Sequence, residues 1–357
     1  MAYDHQPESE TMKSKKWSYL ATPLFAALLL SSCVGNASTA DSEEAVSTTG
    51  SVEAVSLRMA SALDPSHPHI RCGAEPLAEW LNDEGTGIQL TVFPSSQLGS
   101  DQEATEQVAR GDLDLNITTF STLSQYYAPL SVLDAAFVVR DSEHLQAVLD
   151  GEIGKTLTQA VLDESGIRLL GAPLFGSRHV TSNAPVTGPE SLSGVKMRAI
   201  DEPLFLANAR VLGANPTPIP IAELYLALQQ GVVDAQENPV PTIASFDFMS
   251  VQSHLSLTNH VTMSLAWVVN DQVFSKLTTE QQASLQAGVD LFSEKIREYV
   301  EADTEKYLEE WRADPKITVI EADEIDRDAF ESIAKAVLPT EFSEEWGDLY
   351  QRIGAIK

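Results

Sequence analysis

Three polar side chains between residues 178 and 238 have the types and the setting to hold an organic anion: Arg198, Arg178 and Asn238. A guanidinium presents a planar fork of donors that matches a carboxylate, and it stays charged at any relevant pH. Arg198 lies in Val195-Lys196-Met197-Arg198-Ala199, where Val195, Met197 and Ala199 alternate as on a strand. Lys196 and Arg198 therefore project from the opposite face, and strand ends in α/β units are where ligands commonly bind. Arg178 heads another strand-like run, after Phe175-Gly176-Ser177. Pattern alone reads either arginine as a surface residue paired with one of the 52 acids. Asn238 precedes Pro239, a dipeptide that also forms ordinary turns. Glu223 opens a short helix, where its charge suits the dipole, and Phe175 and Trp267 read as core side chains.

Other chemistries find less support. His67-Pro68-His69 has no acidic or histidine partner at helical ligand spacing, so a capping or hinge-adjacent role is expected there rather than a metal site. No Gly-x-Ser-x-Gly elbow, phosphate loop or cysteine-centred constellation occurs, and nothing singles out a pair of acids for glycosidase chemistry. The expectation is a protein that is not an enzyme and needs neither cofactor nor metal.

The elements that must position these side chains alternate in period. Val55, Leu57 and Met59 alternate with polar residues, Ile70, Ala74, Leu77, Trp80 and Leu81 recur at helical spacing, and Ile88, Leu90 and Val92 alternate again. A polar helix over Asp101 to Arg110 ends at Gly111, before a strand through Leu113, Leu115 and Ile117. This order implies right-handed crossovers and a mostly parallel sheet. A second α/β segment runs from about Arg178 to His260. Within it, Ala214 to Pro220 carries three prolines and reads as a stiff connector, and Ala222 to Gln230 as a helix closed by Gly231. Thr278 with Gln281 makes a capping box, with Leu277 a possible staple. An apolar stripe from Leu285 to Trp311 follows, so a helix of some 35 residues, about 50 Å long, is expected to brace two lobes.

The ends and the bulk charge bound the class. A basic stretch at Lys13-Ser14-Lys15-Lys16 precedes an apolar run of about fourteen residues from Trp17 to Leu30. A spanning helix needs roughly 20 residues, so this is a secretory signal. Its exit, Leu30-Ser31-Ser32-Cys33, is similar to a bacterial lipoprotein box, with ordinary cleavage after Ala37 or Ala40 the alternative. Residues 34–53 are small, polar and acidic, a flexible linker. With Cys33 lipidated, Cys72 is unpaired and the fold cannot rest on disulfides. A net charge of −29 argues against nucleic acid or anionic lipid as a partner.

Several ordered motifs carry a family resemblance over the chain beyond the linker. They are Phe93-Pro94-Ser95-Ser96-Gln97-Leu98-Gly99, Arg178-His179-Val180-Thr181-Ser182-Asn183, Ser191 to Arg198, Gly213 to Pro218, Glu223 to Pro239, and Leu257-Thr258-Asn259-His260. Together they resemble the solute-binding subunits of tripartite ATP-independent periplasmic (TRAP) transporters of the C4-dicarboxylate type. The resemblance implies a two-lobed periplasmic-binding-protein clamshell of α/β class, with a long helix spanning both lobes. The expected division is residues 1–33 signal peptide, 34–53 linker, 54–175 with 264–303 lobe I, and 176–263 with 304–357 lobe II.

By the same resemblance, Arg198 pairs with the carboxylate of a small organic acid, and Arg178 and Asn238 also reach the ligand. A second anionic group on the ligand becomes plausible if Arg178 faces the cleft. The protein is expected to be a monomer outside the cytoplasm, anchored through lipid on Cys33, that delivers its ligand to an ion-gradient-driven TRAP permease. Presentation of the ligand to a sensory receptor is the alternative. Three departures stand out: Ala235 where the family usually has Gly, Ile221 where many members have Phe, and Thr119 where sialic-acid-binding relatives have Glu.

Overall fold

The structure is a computed structural model, and it describes residues 54–357. The signal peptide, the linker and Cys33 lie outside the described residues. Eleven strands appear among the described residues: β1 Val55–Ser61, β2 Ile88–Phe93, β3 Leu115–Thr118, β4 Ile167–Gly171, β5 Leu174–Ser182, β6 Lys196–Ala199, β7 Asn215–Pro218, β8 Ala235–Pro239, β9 His254–Ser264, β10 Ala266–Asn270 and β11 Thr318–Ile320. They form two sheets, ordered β2-β1-β3-β10-β4 and β11-β9-β5-β8-β6-β7. β1 pairs in parallel with β2 and β3, as right-handed crossovers require, and β10 joins β3 and β4 antiparallel. In the second sheet β6 is parallel to β7 and β8, while β5 is antiparallel to β8 and β9.

The proline-rich stretch departs from its expectation. Asn215–Pro218 is an edge strand paired with β6 alone rather than a bare connector. Proline lacks an amide donor, so a strand carrying both Pro216 and Pro218 suits the edge of a sheet. The helical run after His67 also divides. A π-helical turn, His69–Ala74, leads into the α-helix Glu75–Asp83, with Pro76 tolerated in that helix's first turn.

Two short passages carry the chain between the sheets. Ala172-Pro173 links β4 to β5, and Leu265 alone links β9 to β10. The Leu265 amide donates to the Pro173 carbonyl at 3.1 Å, so the two crossings are tied to each other.

The long helix, Thr279–Ala313, has the expected 35 residues and starts at the expected box. The Thr278 hydroxyl accepts the Gln281 backbone amide at 3.2 Å, and the side-chain Oε1 of Gln281 accepts the Thr278 backbone amide at 3.0 Å. Leu285, Val289, Phe292, Ile296 and Val300 enter the larger apolar core, which includes the first sheet. Trp311 enters a separate core around Leu224, Ile243 and Phe248. One helix thus serves both cores. Its close approach to the helix Glu75–Asp83 requires glycine: a Cβ on Gly288 would lie 2.5 Å from Leu77 Cδ1 and 2.8 Å from Trp80 Cζ3. No helix among the described residues is long and apolar enough to cross a membrane.

Candidate ligand-binding site

A cavity of about 320 Å³ draws its walls from both sheets. From the first come Ile117 and Thr118 at the carboxyl end of β3, then Thr119, Thr122 and Asp101. From the second come Phe175 and Arg178 of β5, Arg198 of β6, Asn238 of β8 and the run Pro218 to Ile221. All three anticipated residues therefore meet in one space.

Arg198 is 4% exposed, and no ion pair among the described residues involves it. Its Nε donates to the Ile219 carbonyl at 2.7 Å, which fixes the plane of the guanidinium. Burial first, and then the Arg178 charge, pull its pKa down to about 10, while Glu237 works the other way. The group is still protonated at neutral pH. A buried cation without a counter-ion is costly, and an anion from solution removes that cost.

Arg178 is differently placed. It lies within β5 rather than at its head, and it is 1% exposed. Its Nε and Nη2 grip the two carboxylate oxygens of Glu237, Nη2 to Oε1 at 2.8 Å, and Nη2 also donates to the Glu237 carbonyl at 2.6 Å. His260 Nε2 lies 3.0 Å from Glu237 Oε2, and its Nδ1 lies 2.8 Å from the Thr258 hydroxyl. Burial lowers the His260 pKa, so the ring is neutral and donates from Nε2. Burial opposes ionisation of Glu237, but the Arg178 charge and the His260 bond hold it down to about 2. The Arg178 charge is thereby neutralised inside the fold. Its Nη1 has the softer Met263 Sδ at 3.6 Å.

Asn238 is buried, and its Nδ2 donates to Gln236 Oε1 at 2.6 Å. Gln236 Nε2 in turn donates to the Thr181 hydroxyl at 2.8 Å. Residues 236 and 238 share a strand face by the two-residue period, so this chain sets the amide's orientation.

Three lining acids were not anticipated: Asp101, Asp201 and Glu202. Asp101 opens the helix Asp101–Arg110. Its carboxylate accepts from Asn116 Nδ2 and the Thr118 hydroxyl, each at 3.0 Å, and from the Thr122 hydroxyl at 3.2 Å. Burial raises it to about 6 against those donors. Glu202, just past β6, is raised to about 7 by burial and then by Asp101, with the nearby Thr122 hydroxyl opposing. A carboxylate closely following a strand end was the available signal. Phe175 is buried, as its core reading requires, and it also lines the cavity.

The two histidines of His67-Pro68-His69 are structural. The His69 amide donates to His67 Nδ1, leaving His67 Nε2 to donate to the Thr242 hydroxyl at 3.2 Å. Trp267 Nε1 donates to His69 Nδ1, and His69 Nε2 donates to the Leu174 carbonyl at 2.9 Å. Burial chiefly lowers both pKa values, that of His69 to about 4. Among the described residues no cluster could hold a metal ion.

Comparison with known proteins agrees with this architecture. Residues 59–345 match the family model for bacterial extracellular solute-binding protein, family 7. The 2,3-diketo-L-gulonate-binding periplasmic protein YiaO of Escherichia coli is 34% identical over 266 residues, covering 73% of this chain and 80% of its own. The sialic acid-binding periplasmic protein SiaP of Vibrio cholerae is 32% identical over 217 residues, covering 60% and 68% respectively. Among solved structures, a TRAP periplasmic solute-binding protein from Polaromonas bound to D-erythronate superposes with a TM-score of 0.78. It is 28% identical, over 85% of this chain and 99% of that one. One from Roseobacter denitrificans with bound L-galactonate gives 0.77 at 28% identity, over 85% and 99%. With two sheets, a helix serving both cores and a match across most of the described residues, this chain belongs to bacterial extracellular solute-binding protein family 7, the clamshell solute-binding subunits of TRAP transporters.

Proposed function

We propose that this protein captures a small organic acid outside the cytoplasm by pairing its carboxylate with Arg198, and delivers it to an ion-gradient-driven TRAP permease. The observation that carries the reading is the Arg198 guanidinium, protonated, buried, lining a cavity and lacking any acidic partner among the described residues. Asn238 adds an amide beside the bound acid, and Arg178 offers the Nη1 edge left over from Glu237. The solved relatives with D-erythronate, L-galactonate and succinate support a carboxylate as the gripped group.

The protein acts without catalysis. Lobe I comprises residues 54–175 and 264–303, and lobe II residues 176–263 and 304–357. The mature protein is a monomer tethered in the periplasm by lipid on Cys33.

A calorimetric screen of organic acids against wild type and Arg198→Ala tests the central claim. Removing one partner of a buried charge pair costs about 3–5 kcal/mol, so affinity should fall by roughly two to four decades. Equal affinity of the alanine variant would sink the assignment. Mass spectrometry of the native protein identifies any co-purified acid directly.

A further inference from the structure

Glu202 occupies the N-cap position of the helix Pro203–Val211, where a carboxylate ordinarily accepts an amide hydrogen of the first turn. It makes no such bond. Its side chain instead lines the cavity at 8% exposure, and no ion pair among the described residues involves it. The groups that act most on its charge are the Thr122 hydroxyl, which favours ionisation, and three acids, Asp101, Asp201 and Asp134, which oppose it. Of the three lining acids, Asp101 is already supplied with three side-chain donors and Asp201 is exposed to solvent, so Glu202 is the buried carboxyl with oxygens to spare. Arg178 cannot balance it, because Glu237 holds that guanidinium. The cavity therefore pairs an unmatched cation, Arg198, with an unmatched carboxyl, Glu202, among threonine hydroxyls.

Resting on the carboxylate-capture reading, we propose that Glu202 is a specificity-determining residue that selects a hydroxylated monocarboxylate and rejects a dicarboxylate. A ligand's first carboxylate sits on Arg198. A second one would meet Glu202 and Asp101 with no cation to receive it, in a space where like charges are poorly screened. A hydroxyl donates to Glu202 and exchanges hydrogen bonds with Thr118 and Thr119, which also line the cavity.

The test uses acids that differ only at the terminal carbon: D-gluconate against D-glucarate, D-galactonate against D-galactarate, and 4-hydroxybutyrate against succinate. Calorimetry at pH 8 should show the monoacid of at least one pair binding about tenfold tighter or more, and Glu202→Gln should narrow that gap by about tenfold. Wild type supplies a second measurement independent of the variant's folding: the gap should shrink at pH 5.5, as Glu202 takes a proton amid Asp101, Asp134 and Asp201. Equal or tighter binding of the diacids by wild type overturns the selectivity while leaving capture intact, provided Arg198→Ala still abolishes it. Tighter binding of 4-aminobutyrate than of 4-hydroxybutyrate overturns the hydroxyl preference. If no acid of either kind binds, capture itself fails and the selectivity falls with it.

Discussion

Arg178 and Arg198 line the same cavity, yet among the described residues only Arg178 is paired with a carboxylate, gripped by its Nε and Nη2. Two like side chains therefore do different work. Arg178 with Glu237 and His260 forms a neutralised brace between β5, β8 and β9, and Arg198 is left to attract an anion.

Breaking the brace should be expensive. Glu237→Gln leaves the Arg178 charge buried without its partner, so unfolding by urea should show a loss of about 3–5 kcal/mol. In the fraction that stays folded, Arg178 is released toward the cavity. Calorimetry should then find dicarboxylates gaining affinity relative to monocarboxylates.

Acid should destabilise the protein through two overlapping sets of groups. His69 and His179, lowered to about 4 and about 3, mainly by burial, bind protons more weakly folded than unfolded. Stability is therefore lost as pH falls from the ordinary histidine value of 6.5 through these values. Glu237, down at about 2 against an ordinary 4.5, adds a further loss as pH falls between those two values. Urea midpoints measured from pH 7 to pH 3 should fall continuously, and Glu237→Gln should flatten the lower part of that curve.

Asp134 should act with the opposite sign. It is fully buried, its Oδ1 has no partner, and burial raises it to about 7 although the Ser121 amide donates to Oδ2 at 2.8 Å. A carboxyl that holds its proton more tightly when folded contributes fully below its ordinary 3.8, and that contribution declines as pH rises through about 7. Asp134→Asn keeps the acceptor for Ser121 without the titration. At pH 8 it should melt higher than wild type, and at pH 4 it should not.

The helix contact at Gly288 should tolerate no branching. A Cβ there already lies within 3.0 Å of atoms in Leu77 and Trp80. Gly288→Val should cost about 1–3 kcal/mol by overpacking, read as a lowered midpoint in chemical denaturation. Ligand affinity should hold, because neither neighbour lines the cavity.

Elements set by local pattern were legible in the residues. Val55, Leu57 and Met59 announced β1, and the box at Thr278 with the apolar stripe behind it gave the long helix its start and length. Arg198 was readable as a strand-end arginine, and the family motifs gave it a role. The lack of a partner was not readable, since any of 52 acids could have faced it. The Arg178–Glu237 pair was hidden for a related reason. It depends on the register between β5 and β8, which places Arg178 opposite Pro239 across strands distant in sequence. Glu202 was not legible as a cavity residue because an acid before a helix normally caps that helix, and here it makes no such bond.

The paired crossings at Pro173 and Leu265 have a consequence for residence time. Besides the long helix that serves both cores, the walls of the cavity are joined by passages one or two residues long that are bonded to each other, and separation of the walls has to bend them. An acid held on Arg198 thus always has the Thr118 and Thr119 wall at a high effective concentration. Recapture competes with escape each time the cleft opens. Lengthening either crossing by a few glycines would dilute that wall and shorten the dwell of the ligand, even with every binding residue intact.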